Sequence, residues 1–379
     1  MCTIMKYLFA AGGTGGHVNP ALAVAGYIRE QEPDAQILFV GTAEKIEAKL
    51  VPAAGFDFKT IRISGFKRGF SPSDIKNNIQ TVVRMFSATA ESRRIIRAFQ
   101  PDVAIGFGGY VSGPVIREAH KLGVKTVIHE QNAYPGVTNK TLAKVVDRVL
   151  LTDPAAEKYL ACRNAPIVTG LPVRGQILSA NRDLARFELG LDEKPLILSF
   201  GGSLGARSIN RAVTELIAAR HGTGACYFIH ATGQNGLDMP DQLRERGVDL
   251  GREHHVDVRT YIDDMDRCLA AADLVICRAG ASTISELEAL GRASILVPYP
   301  HAAENHQYYN ALTLADAGAA IVVKDQELTG ELLIEKVDEL LRDPNKLKRM
   351  GEQAKRAGIP NGRENICQAI RELCEGGSI

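Results

Sequence analysis

The chain carries the same local pattern twice, with the second copy 189 residues after the first. Each copy is a short apolar run, a glycine-rich turn and a segment with helical character. The copies are Leu8–Gly16 followed by Pro20–Arg29, and Ile197–Gly205 followed by Ser208–Ala219. A buried strand that leads through a tight turn into a helix is the repeating unit of parallel sheets covered by helices. The duplication therefore predicts an α/β chain with two doubly wound, Rossmann-like parallel-sheet domains.

Further short apolar runs supply the other strands of both predicted sheets. They alternate with longer amphipathic stretches, and glycines occupy many of the junctions. The predicted strands are Tyr7–Ala11, Gln36–Gly41, Val103–Gly106, Lys125–His129 and Arg148–Leu151 in the first half, and Leu196–Phe200, Cys226–Thr232, Val256–Thr260, Leu274–Cys277, Ser294–Val297 and Ala320–Val323 in the second. Each half thus has enough strands for its own sheet.

The domain boundary is predicted near Thr169–Pro172, at a Gly-Leu-Pro stretch. We expect an N-terminal domain at residues 1–169 and a C-terminal domain at residues 170–359. The amphipathic stretch Glu364–Glu375 lies in the last segment, 360–379, which we expect to return and complete the first domain as a helix. Ligands of doubly wound sheets bind beyond the carboxyl ends of the strands, so we expect an interdomain cleft there.

The formal net charge of +1 hides an uneven distribution along the chain. Residues 1–170 hold 21 Lys and Arg against 14 Asp and Glu, a net +7, whereas residues 171–379 hold 24 against 30, a net −6. No overall basic excess points to nucleic acid. No apolar run reaches the ~18 residues of a membrane span, and the start of the chain is typical of a strand rather than a signal peptide. The seven cysteines form no Cys-x-x-Cys pair, so reduced thiols in a cytoplasmic protein are expected.

Three glycine-rich turns are candidates for phosphate binding: Gly12–Gly16, Gly106–Gly113 and Gly201–Gly205. Glycines at a strand-to-helix turn let the backbone approach a phosphate, and the amides and dipole of the helix attract the anion. Tight packing of the turns is the alternative explanation. None of the three is a P-loop, and the first lacks the acid that a dinucleotide fingerprint needs after the second strand.

Two side chains beside predicted helix starts have both a chemical and a structural interpretation. A neutral His17 could take a proton from an attacking hydroxyl, or it could only orient the first glycine turn. The segment Gly280–Glu286 could hold a diphosphate on its amides and a ribose on the Glu286 carboxylate. Alternatively, Thr283 and Glu286 form a helix capping box. The sequence alone leaves both pairs of alternatives open.

The triplet Asp264-Met265-Asp266 matches the Asp-x-Asp pattern that can hold a divalent ion on a nucleotide sugar. We favour helix capping for these acids, because they precede and open a predicted helix at 266–272. The nine histidines show no metal-ligand spacing. We therefore expect no obligatory metal or other cofactor, and helix ends together with Arg174 would stabilise a leaving diphosphate.

An apolar and basic segment of the first half is a candidate membrane surface. It comprises Phe66, Lys67, Arg68 and Phe70, followed by a helical stripe that includes Ile79 and Val83. Core packing is the usual role of such a stripe. In the basic half of the chain, the segment could also rest on anionic lipid without crossing it.

Eight motifs cover most of the chain in a fixed order: Gly12–Ala23, Gly106–Pro114, His129–Gly136, Gly170–Arg174, Gly201–Ala206, Tyr261–Met265, Gly280–Glu286 and Asn305–Gln307. In these motifs the sequence resembles the MurG family of bacterial glycosyltransferases, part of glycosyltransferase family 28. It departs from the family pattern at Leu171, where the family more often has Asn. The resemblance implies a GT-B fold and an inverting hexosyltransferase of peptidoglycan synthesis. That enzyme moves N-acetylglucosamine from UDP-N-acetylglucosamine to the 4-hydroxyl of undecaprenyl-diphosphoryl-N-acetylmuramyl pentapeptide.

The resemblance also implies roles for individual residues, and His17 is the candidate base. The residues implied for the donor are Thr14, Gly15, Gly16, Asn132, Arg174, Ser203, Ile262, Ala281, Ser282, Thr283, Ile284, Ser285, Glu286 and Gln307. Within this set Ile262 would meet the uracil through its backbone, Glu286 the ribose and Gln307 the sugar hydroxyls. Ser203 and the amides of Ala281–Thr283 would hold the diphosphate. The residues implied for the acceptor diphosphate are Gly13, Thr14, Gly108, Gly109 and Tyr110.

The resemblance further implies a peripheral protein on the cytoplasmic face of the bacterial plasma membrane, with roles in cell-wall biogenesis, cell shape and cell division. Its partners would be the two substrates, an anionic membrane surface and other cell-wall synthesis enzymes. Two other interpretations stay open. One is a related GT-B glycolipid transferase or a UDP-sugar epimerase, and the other is a non-catalytic regulator that binds a UDP-sugar.

Overall fold

The computed structural model describes residues 4–63 and 87–376. The chain divides into two compact units. The N-terminal unit comprises Met1–Pro172 and Asn361–Ile379, and the C-terminal unit comprises Val173–Pro360. The division falls between residues 172 and 173, a few residues after the position expected from the sequence.

The N-terminal unit is built on a parallel sheet of seven strands, in the order β3-β2-β1-β4-β5-β6-β7. The strands are β1 (Lys6–Ala10), β2 (Gln36–Gly41), β3 (Asp57–Thr60), β4 (Val103–Gly106), β5 (Lys125–Glu130), β6 (Arg148–Leu151) and β7 (Ile167–Val168). Strands β1, β4 and β6 are apolar apart from Lys6 and Arg148 at their first positions, and they are buried along most of their length. Continuous apolar strands are expected where helices cover both faces of a sheet.

Helices cover both faces of this sheet. They are α1 (Gly15–Gln31), α2 (Glu47–Ala53), α3 (described over residues 87–99), α4 (Gly109–Lys121), α5 (Val137–Leu142) and, from the end of the chain, α15 (Gly362–Cys374). Successive side chains of a strand point to opposite faces. Accordingly, Tyr7 and Phe9 of β1 pack in a core with α1 and α15, whereas Leu8 packs in a second core with α3 and α4.

Helix α15 is joined to the N-terminal sheet by apolar and polar contacts. Ile366 and Ile370 are buried in the same core as β1. Nζ of Lys125 donates to the carbonyl oxygens of Leu373 and Cys374, at 2.8 and 2.6 Å, and so binds the end of the helix. A cation at a helix C-terminus is favourable because the last carbonyl groups are unsatisfied within the helix.

The C-terminal unit repeats the same architecture with a parallel sheet of six strands, in the order β10-β9-β8-β11-β12-β13. The strands are β8 (Leu196–Phe200), β9 (Tyr227–Ala231), β10 (Val256–Arg259), β11 (Leu274–Cys277), β12 (Ala293–Leu296) and β13 (Ala320–Val322). The helices are α6 (Gly175–Ser179), α7 (Arg182–Glu188), α8 (Arg207–Arg220), α9 (Met239–Glu245), α10 (Met265–Ala271), α11 (Ala281–Leu290), α12 (His306–Asp316), α13 (Gly330–Arg342) and α14 (Pro344–Ala357). Counted within each unit, the first six strands follow the same order in both sheets.

The predicted fold class is confirmed, since both halves are parallel-sheet α/β units of the Rossmann type. All eleven predicted strands are present within a residue or two, and β3 and β7 are additional. None of the helices among the described residues combines the length and the apolar character that a membrane span requires. The six cysteines in the described part of the chain are free thiols.

Candidate functional site

The first part of the candidate site lies where the winding of the N-terminal sheet reverses. Strands β1 and β4 are neighbours, with β2 and β3 on one side and β5 to β7 on the other. Ligands of such sheets bind at this switch point, beyond the carboxyl ends of the strands. The glycine turns Gly12–Gly16 and Gly106–Gly113 directly follow the two strands. The structure therefore brings together the two turns that the sequence analysis identified in the first half.

The two turns touch through their backbones, and glycine is required at the contact. Gly109 has a φ of +79°, and a Cβ added to it would lie 2.3 Å from the Gly12 carbonyl oxygen. A Cβ added to Gly108 would lie 2.9 Å from Cδ2 of His17. The second turn thus packs on the first turn and on the histidine that follows it.

His17 lies in the first turn of α1. The helix begins at Gly15 and not near Pro20 as predicted, so Gly15 and Gly16 are its first residues. Nδ1 of His17 lies 3.1 Å from the Gly12 carbonyl oxygen and 3.3 Å from Oγ1 of Thr14. Because a carbonyl oxygen only accepts, Nδ1 carries the ring proton in this arrangement, and Nε2 is the nitrogen that can take a proton.

Helices α1 and α4 both start at this edge of the sheet, where the dipoles of their N-termini favour an anion. Neither α1 nor α4 has an acidic residue in its first turn. Neither helix has a side chain hydrogen-bonded as its N-cap, and Gly13, Thr14, Gly16 and Tyr110 are exposed. Unsatisfied amides at a helix start are favourable sites for a phosphate. Of the predicted acceptor residues, Gly13, Thr14 and Tyr110 are thus exposed at this edge and Gly109 is half-buried, whereas Gly108 is buried and donates its N–H to Oγ of Ser112 at 3.0 Å.

Asn132 follows β5, the next strand along the sheet, and is held by a buried carboxylate. Oε1 of Glu130 accepts from the backbone N–H of Asn132 at 3.0 Å and from its Nδ2 at 3.1 Å. Oε2 of Glu130 accepts from Nδ2 of Asn139 at 2.8 Å. Asn132 is thus a pre-positioned polar group, and Glu130 is a supporting residue that the sequence did not reveal.

His129 precedes Glu130 on the same strand and is buried. Its Nε2 lies 3.0 Å from the Gly170 carbonyl oxygen, and burial lowers the pKa of His129 to about 4.

A second buried carboxylate supports the first glycine turn. Glu47, at the start of α2, has no exposed surface. Its Oε2 accepts from the Gly13 N–H at 3.0 Å, and its Oε1 accepts from the N–H and Oγ1 of Thr42, at 3.1 and 2.7 Å. The sequence has no acid directly after β2, and Glu47 becomes a candidate only through the contacts of the folded chain. A Glu at the start of a short helix gives no signal of this contact in a single sequence.

The second part of the candidate site lies at the corresponding switch point of the C-terminal sheet, between β8 and β11. The turn Gly201–Gly205 follows β8, and Gly280 precedes α11 after β11. Gly205 has a φ of +79°, and a Cβ added to it would lie 1.9 Å from the Thr232 carbonyl oxygen. Ser203 is exposed within the turn. The third predicted turn and the segment Gly280–Glu286 therefore end neighbouring strands.

Glu286 does not cap α11, so the capping-box interpretation is wrong. The helix begins at Ala281 with Gly280 at its N-cap, which places Thr283 in the first turn and Glu286 in the second. Oε1 of Glu286 accepts from Nε of Arg174 at 2.8 Å, and the Glu286 side chain is 13% exposed. Burial raises the pKa of Glu286, and the Arg174 guanidinium partly offsets the rise. The carboxylate is thus oriented by an exposed arginine.

The remaining predicted donor residues differ in what their side chains can do. The side chains of Ile262 and Ile284 are buried in the core of the C-terminal unit, and the Ile284 N–H donates to the Gly280 carbonyl oxygen at 3.0 Å. Ser285 is buried, whereas Ala281, Ser282 and Thr283 are half-buried at the helix start. Oε1 of Gln307 accepts from the Tyr299 N–H at 2.9 Å.

Asp264 takes the N-cap position of α10, as predicted, but its side chain makes no capping bond. Its carboxylate pairs with Nη1 of Arg259 at 2.6 Å and with Nη2 of Arg267 at 3.5 Å. Two arginines therefore neutralise the first acid of the Asp-x-Asp triplet. Among the described residues, no group of three His, Cys, Asp or Glu side chains is arranged to hold a metal ion.

The predicted membrane segment lies outside the described residues. This holds for Phe66, Lys67, Arg68, Phe70, Ile79 and Val83.

Comparisons with known proteins assign the chain to a family. The model of the glycosyltransferase family 28 N-terminal domain matches residues 7–151, and that of the family 28 C-terminal domain matches residues 196–366. The chain is 44% identical over 371 residues to the UDP-N-acetylglucosamine–N-acetylmuramyl-(pentapeptide) pyrophosphoryl-undecaprenol N-acetylglucosamine transferase of Acetivibrio thermocellus, covering 97% of this chain and 98% of that protein. The chain belongs to the MurG family of glycosyltransferases.

A second relative and a solved structure agree with this membership. The identically named transferase of Desulforudis audaxviator is 43% identical over 376 residues, which is 99% of this chain and 100% of that protein. The crystal structure of Acinetobacter baumannii MurG is similar with a TM-score of 0.80 and 30% identity, and it covers 97% of this chain and 99% of that chain. The two Rossmann-like units of this MurG-family protein therefore form a GT-B fold, as the resemblance implied.

Proposed function

We infer that the chain is the hexosyltransferase that moves N-acetylglucosamine from UDP-N-acetylglucosamine to the lipid-linked N-acetylmuramyl pentapeptide of peptidoglycan synthesis. The acceptor carries its sugar on undecaprenyl diphosphate, and the sugar's 4-hydroxyl receives the new bond. The observation that carries this inference is the end-to-end similarity, above 40% identity, to transferases named for this reaction.

We propose that the C-terminal unit binds the donor at its switch point. The Glu286 carboxylate suits the two ribose hydroxyls, because it is held in place by Arg174 and still has a second oxygen to offer. The amides of Ala281–Thr283 and the exposed Ser203 are suited to the diphosphate, since they lie at the start of α11 and in a glycine turn. Ile262 would contact the uracil through its backbone, and Gln307 the sugar hydroxyls.

We propose that the N-terminal unit binds the acceptor diphosphate on its two glycine turns. Gly13 and Thr14 of the first turn and Gly108, Gly109 and Tyr110 of the second would form the site. The backbone N–H groups of Gly13 and Gly108 already donate to Glu47 and Ser112, so the other amides of the two turns would meet the anion. Both turns end at helices whose first turns hold no acid. The dipoles of these helices favour an anion at this edge of the sheet.

We propose that His17 is the general base of a direct displacement. Nε2 takes the proton of the acceptor 4-hydroxyl while that oxygen bonds to the anomeric carbon of the donor sugar. The bond from the anomeric carbon to the diphosphate oxygen breaks on the opposite face, so the α-linked donor gives a β linkage and UDP leaves with the electron pair. The Gly12 carbonyl supports this role because it holds the proton of the ring on Nδ1.

We propose that the transfer needs no obligatory metal ion. Arg174 and the starts of the helices can stabilise the negative charge of the leaving UDP. Asp264, the first acid of the Asp-x-Asp triplet that could have held a divalent ion, is already paired with Arg259 and Arg267.

We propose that the protein works as a peripheral protein on the cytoplasmic face of the plasma membrane, where its acceptor is anchored. The basic and apolar segment that includes Lys67 and Arg68 supports this, because basic residues attract an anionic leaflet. Sedimentation with anionic vesicles tests the proposal: a Lys67/Arg68/Phe70 triple variant should bind less than the unchanged protein. Equal binding would refute it.

The activity is tested by measuring UDP release from UDP-N-acetylglucosamine with and without a lipid-linked muramyl-peptide acceptor. The expected result is acceptor-dependent release, a disaccharide product with a β linkage, and the same rate when a chelator is added. UDP-sugar isomerisation without acceptor would favour the epimerase. Donor binding with no turnover would favour a regulator, and loss of the rate on chelation would refute the metal-free proposal.

A further inference from the structure

Glu47 is an unusual group for its position. It is a carboxylate with no exposed surface, and among the described residues it forms no ion pair. The charged side chains that flank it, Glu44, Lys45 and Lys49, are exposed. Burial of an unpaired carboxylate is costly unless hydrogen bonds satisfy it. Three donors bind the Glu47 carboxylate: the N–H of Gly13, and the N–H and Oγ1 of Thr42. They come from two separate segments of the chain.

The surroundings of Glu47 leave it little freedom. A Cβ added to Gly12 would lie 2.7 Å from Oε1 of Glu47, and one added to Gly41 would lie 2.6 Å from its Cγ. The backbone at both positions therefore packs directly against the Glu47 side chain. The carboxylate fills the space between the end of β2 and the first glycine turn.

This packing connects Glu47 to His17 through one peptide group. The peptide that joins Gly12 to Gly13 donates its N–H to Oε2 of Glu47 at 3.0 Å. The carbonyl oxygen of the same peptide lies 3.1 Å from Nδ1 of His17. Because a peptide group is rigid and planar, the carboxylate on one side of it sets the direction of the carbonyl on the other.

We propose that Glu47 is a positioning residue for the transfer reaction. Its carboxylate fixes the Gly12-Gly13 peptide, and the peptide's carbonyl fixes the ring orientation and the tautomer of His17. This inference rests on the proposed role of His17 as the base. A carboxylate is needed because both of its oxygens must accept. In a Glu47→Gln variant the amide must place an NH₂ group against either the Gly13 N–H or the two donors of Thr42.

The kinetic test compares Glu47→Gln with Glu118→Gln. Glu118 is a matched control, because its carboxylate is also fully buried in the N-terminal unit but binds Arg93 and Lys121, away from the glycine turns. We expect Glu47→Gln to lower kcat by between about tenfold and a hundredfold, as misplacement of a catalytic group by a fraction of an ångström does. KM for UDP-N-acetylglucosamine should stay within about twofold. Glu118→Gln should leave kcat unchanged even if it lowers stability.

A wild-type kcat in folded Glu47→Gln would overturn the proposal, and so would an equal loss of kcat in both variants. If Glu47→Gln does not fold, Thr42→Val carries the test, because it removes only the Oγ1 donor and keeps the size of the side chain. We expect Thr42→Val to lower kcat about threefold or more at constant KM. An unchanged kcat would overturn the proposal.

A measurement without substrate separates this proposal from the proposed base. In ¹⁵N-histidine-labelled protein, His17 should show its proton on Nδ1, and Glu47→Gln should give a mixture of tautomers. An unchanged His17 spectrum in Glu47→Gln overturns the positioning role whatever His17 does in catalysis. If the spectrum changes as expected but His17→Ala retains full kcat, the base assignment fails and the structural coupling stands.

Discussion

The backbone contact between the two N-terminal glycine turns can be tested with a pair of matched substitutions. Gly109→Ala and Gly13→Ala both place a Cβ on a residue with positive φ, +79° and +91°. They differ in their surroundings. The Cβ of Gly109→Ala would lie 2.3 Å from the Gly12 carbonyl oxygen, whereas the Cβ of Gly13→Ala would have no heavy atom within 4 Å. The pair therefore separates backbone strain from steric overlap.

The glycine turn of the C-terminal unit offers an equivalent pair of substitutions, Gly205→Ala and Gly202→Ala. Gly205→Ala would place its Cβ 1.9 Å from the Thr232 carbonyl oxygen, and Gly202→Ala has an open site. Both residues have positive φ, +79° and +90°. The two units thus provide two independent versions of one experiment.

The expected free energies follow from three contributions. Left-handed backbone costs an alanine about 1–2 kcal/mol. The loss of freedom in the unfolded chain returns about 0.4–1 kcal/mol. The open-site variants should therefore lose about 1 kcal/mol of unfolding free energy. Overlap with a rigid backbone adds about 1–3 kcal/mol, so the close-contact variants should lose about 2–4 kcal/mol.

Urea unfolding followed by circular dichroism measures these differences, and kinetics shows where each variant acts. We expect Gly109→Ala to lower kcat, with the Kd for UDP unchanged, and Gly205→Ala to raise the Kd for UDP. Close-contact variants that were no less stable than their open-site partners would refute the role of steric overlap. Equal weakening of UDP binding by Gly109→Ala and Gly205→Ala would refute the assignment of the donor to the C-terminal unit.

Three further predictions concern single side chains. His17→Ala should lower kcat by about 10²–10⁴-fold with little change in UDP affinity, and a kcat close to that of the unchanged protein would remove His17 from the mechanism. Glu286→Gln should weaken UDP binding by about 1.5–3 kcal/mol in calorimetry, because a charged hydrogen-bond acceptor is lost while Arg174 remains; unchanged affinity would remove Glu286 from the ribose site. Burial lowers the pKa of His129 to about 4 and that of His230 to about 3, so between pH 6.5 and about 4 the unfolded chain takes up these protons and the folded chain does not. The free energy of unfolding should therefore be independent of these two histidines above pH 6.5 and should fall as the pH is lowered, by about 2 kcal/mol per histidine at pH 5. In urea titrations, His129→Gln and His230→Gln should each lose less unfolding free energy between pH 6.5 and pH 5 than the unchanged protein, in the unit that carries the substitution.

The sequence predicted the parts of the fold that rest on buried apolar runs. Strands such as Val103–Gly106 and Leu274–Cys277 are apolar throughout because helices cover both of their faces. The two additional strands lie at the edges of the N-terminal sheet. Asp57–Thr60 is mostly exposed and polar, and Ile167–Val168 is only two residues long. An edge strand is held by backbone hydrogen bonds to one neighbour, so it does not need the run of apolar residues by which the other strands were predicted.

The candidate site was predictable where glycines mark a close approach, and it was not predictable where carboxylates support the turns from a distance. Gly109 and Gly205 stand where a Cβ would overlap the backbone of a neighbouring segment, so the turns were visible as glycine motifs. Glu47 and Glu130 act through hydrogen bonds to segments whose proximity depends on the sheet order. The capping box at Thr283 was incorrect because α11 begins three residues earlier than that pattern assumed, with Gly280 and not Thr283 at its N-cap.

Helix α15 has a consequence for the order in which the protein can be completed during synthesis. The ribosome makes the seven strands of the N-terminal unit first, but α15, one of the two helices that pack with Tyr7 and Phe9, follows the whole C-terminal unit in the sequence. At about 5–20 residues per second, translation of the intervening Val173–Pro360 takes about 10–40 s. During that interval one face of the first sheet is without its final helix, so the unit that is translated first finishes folding last.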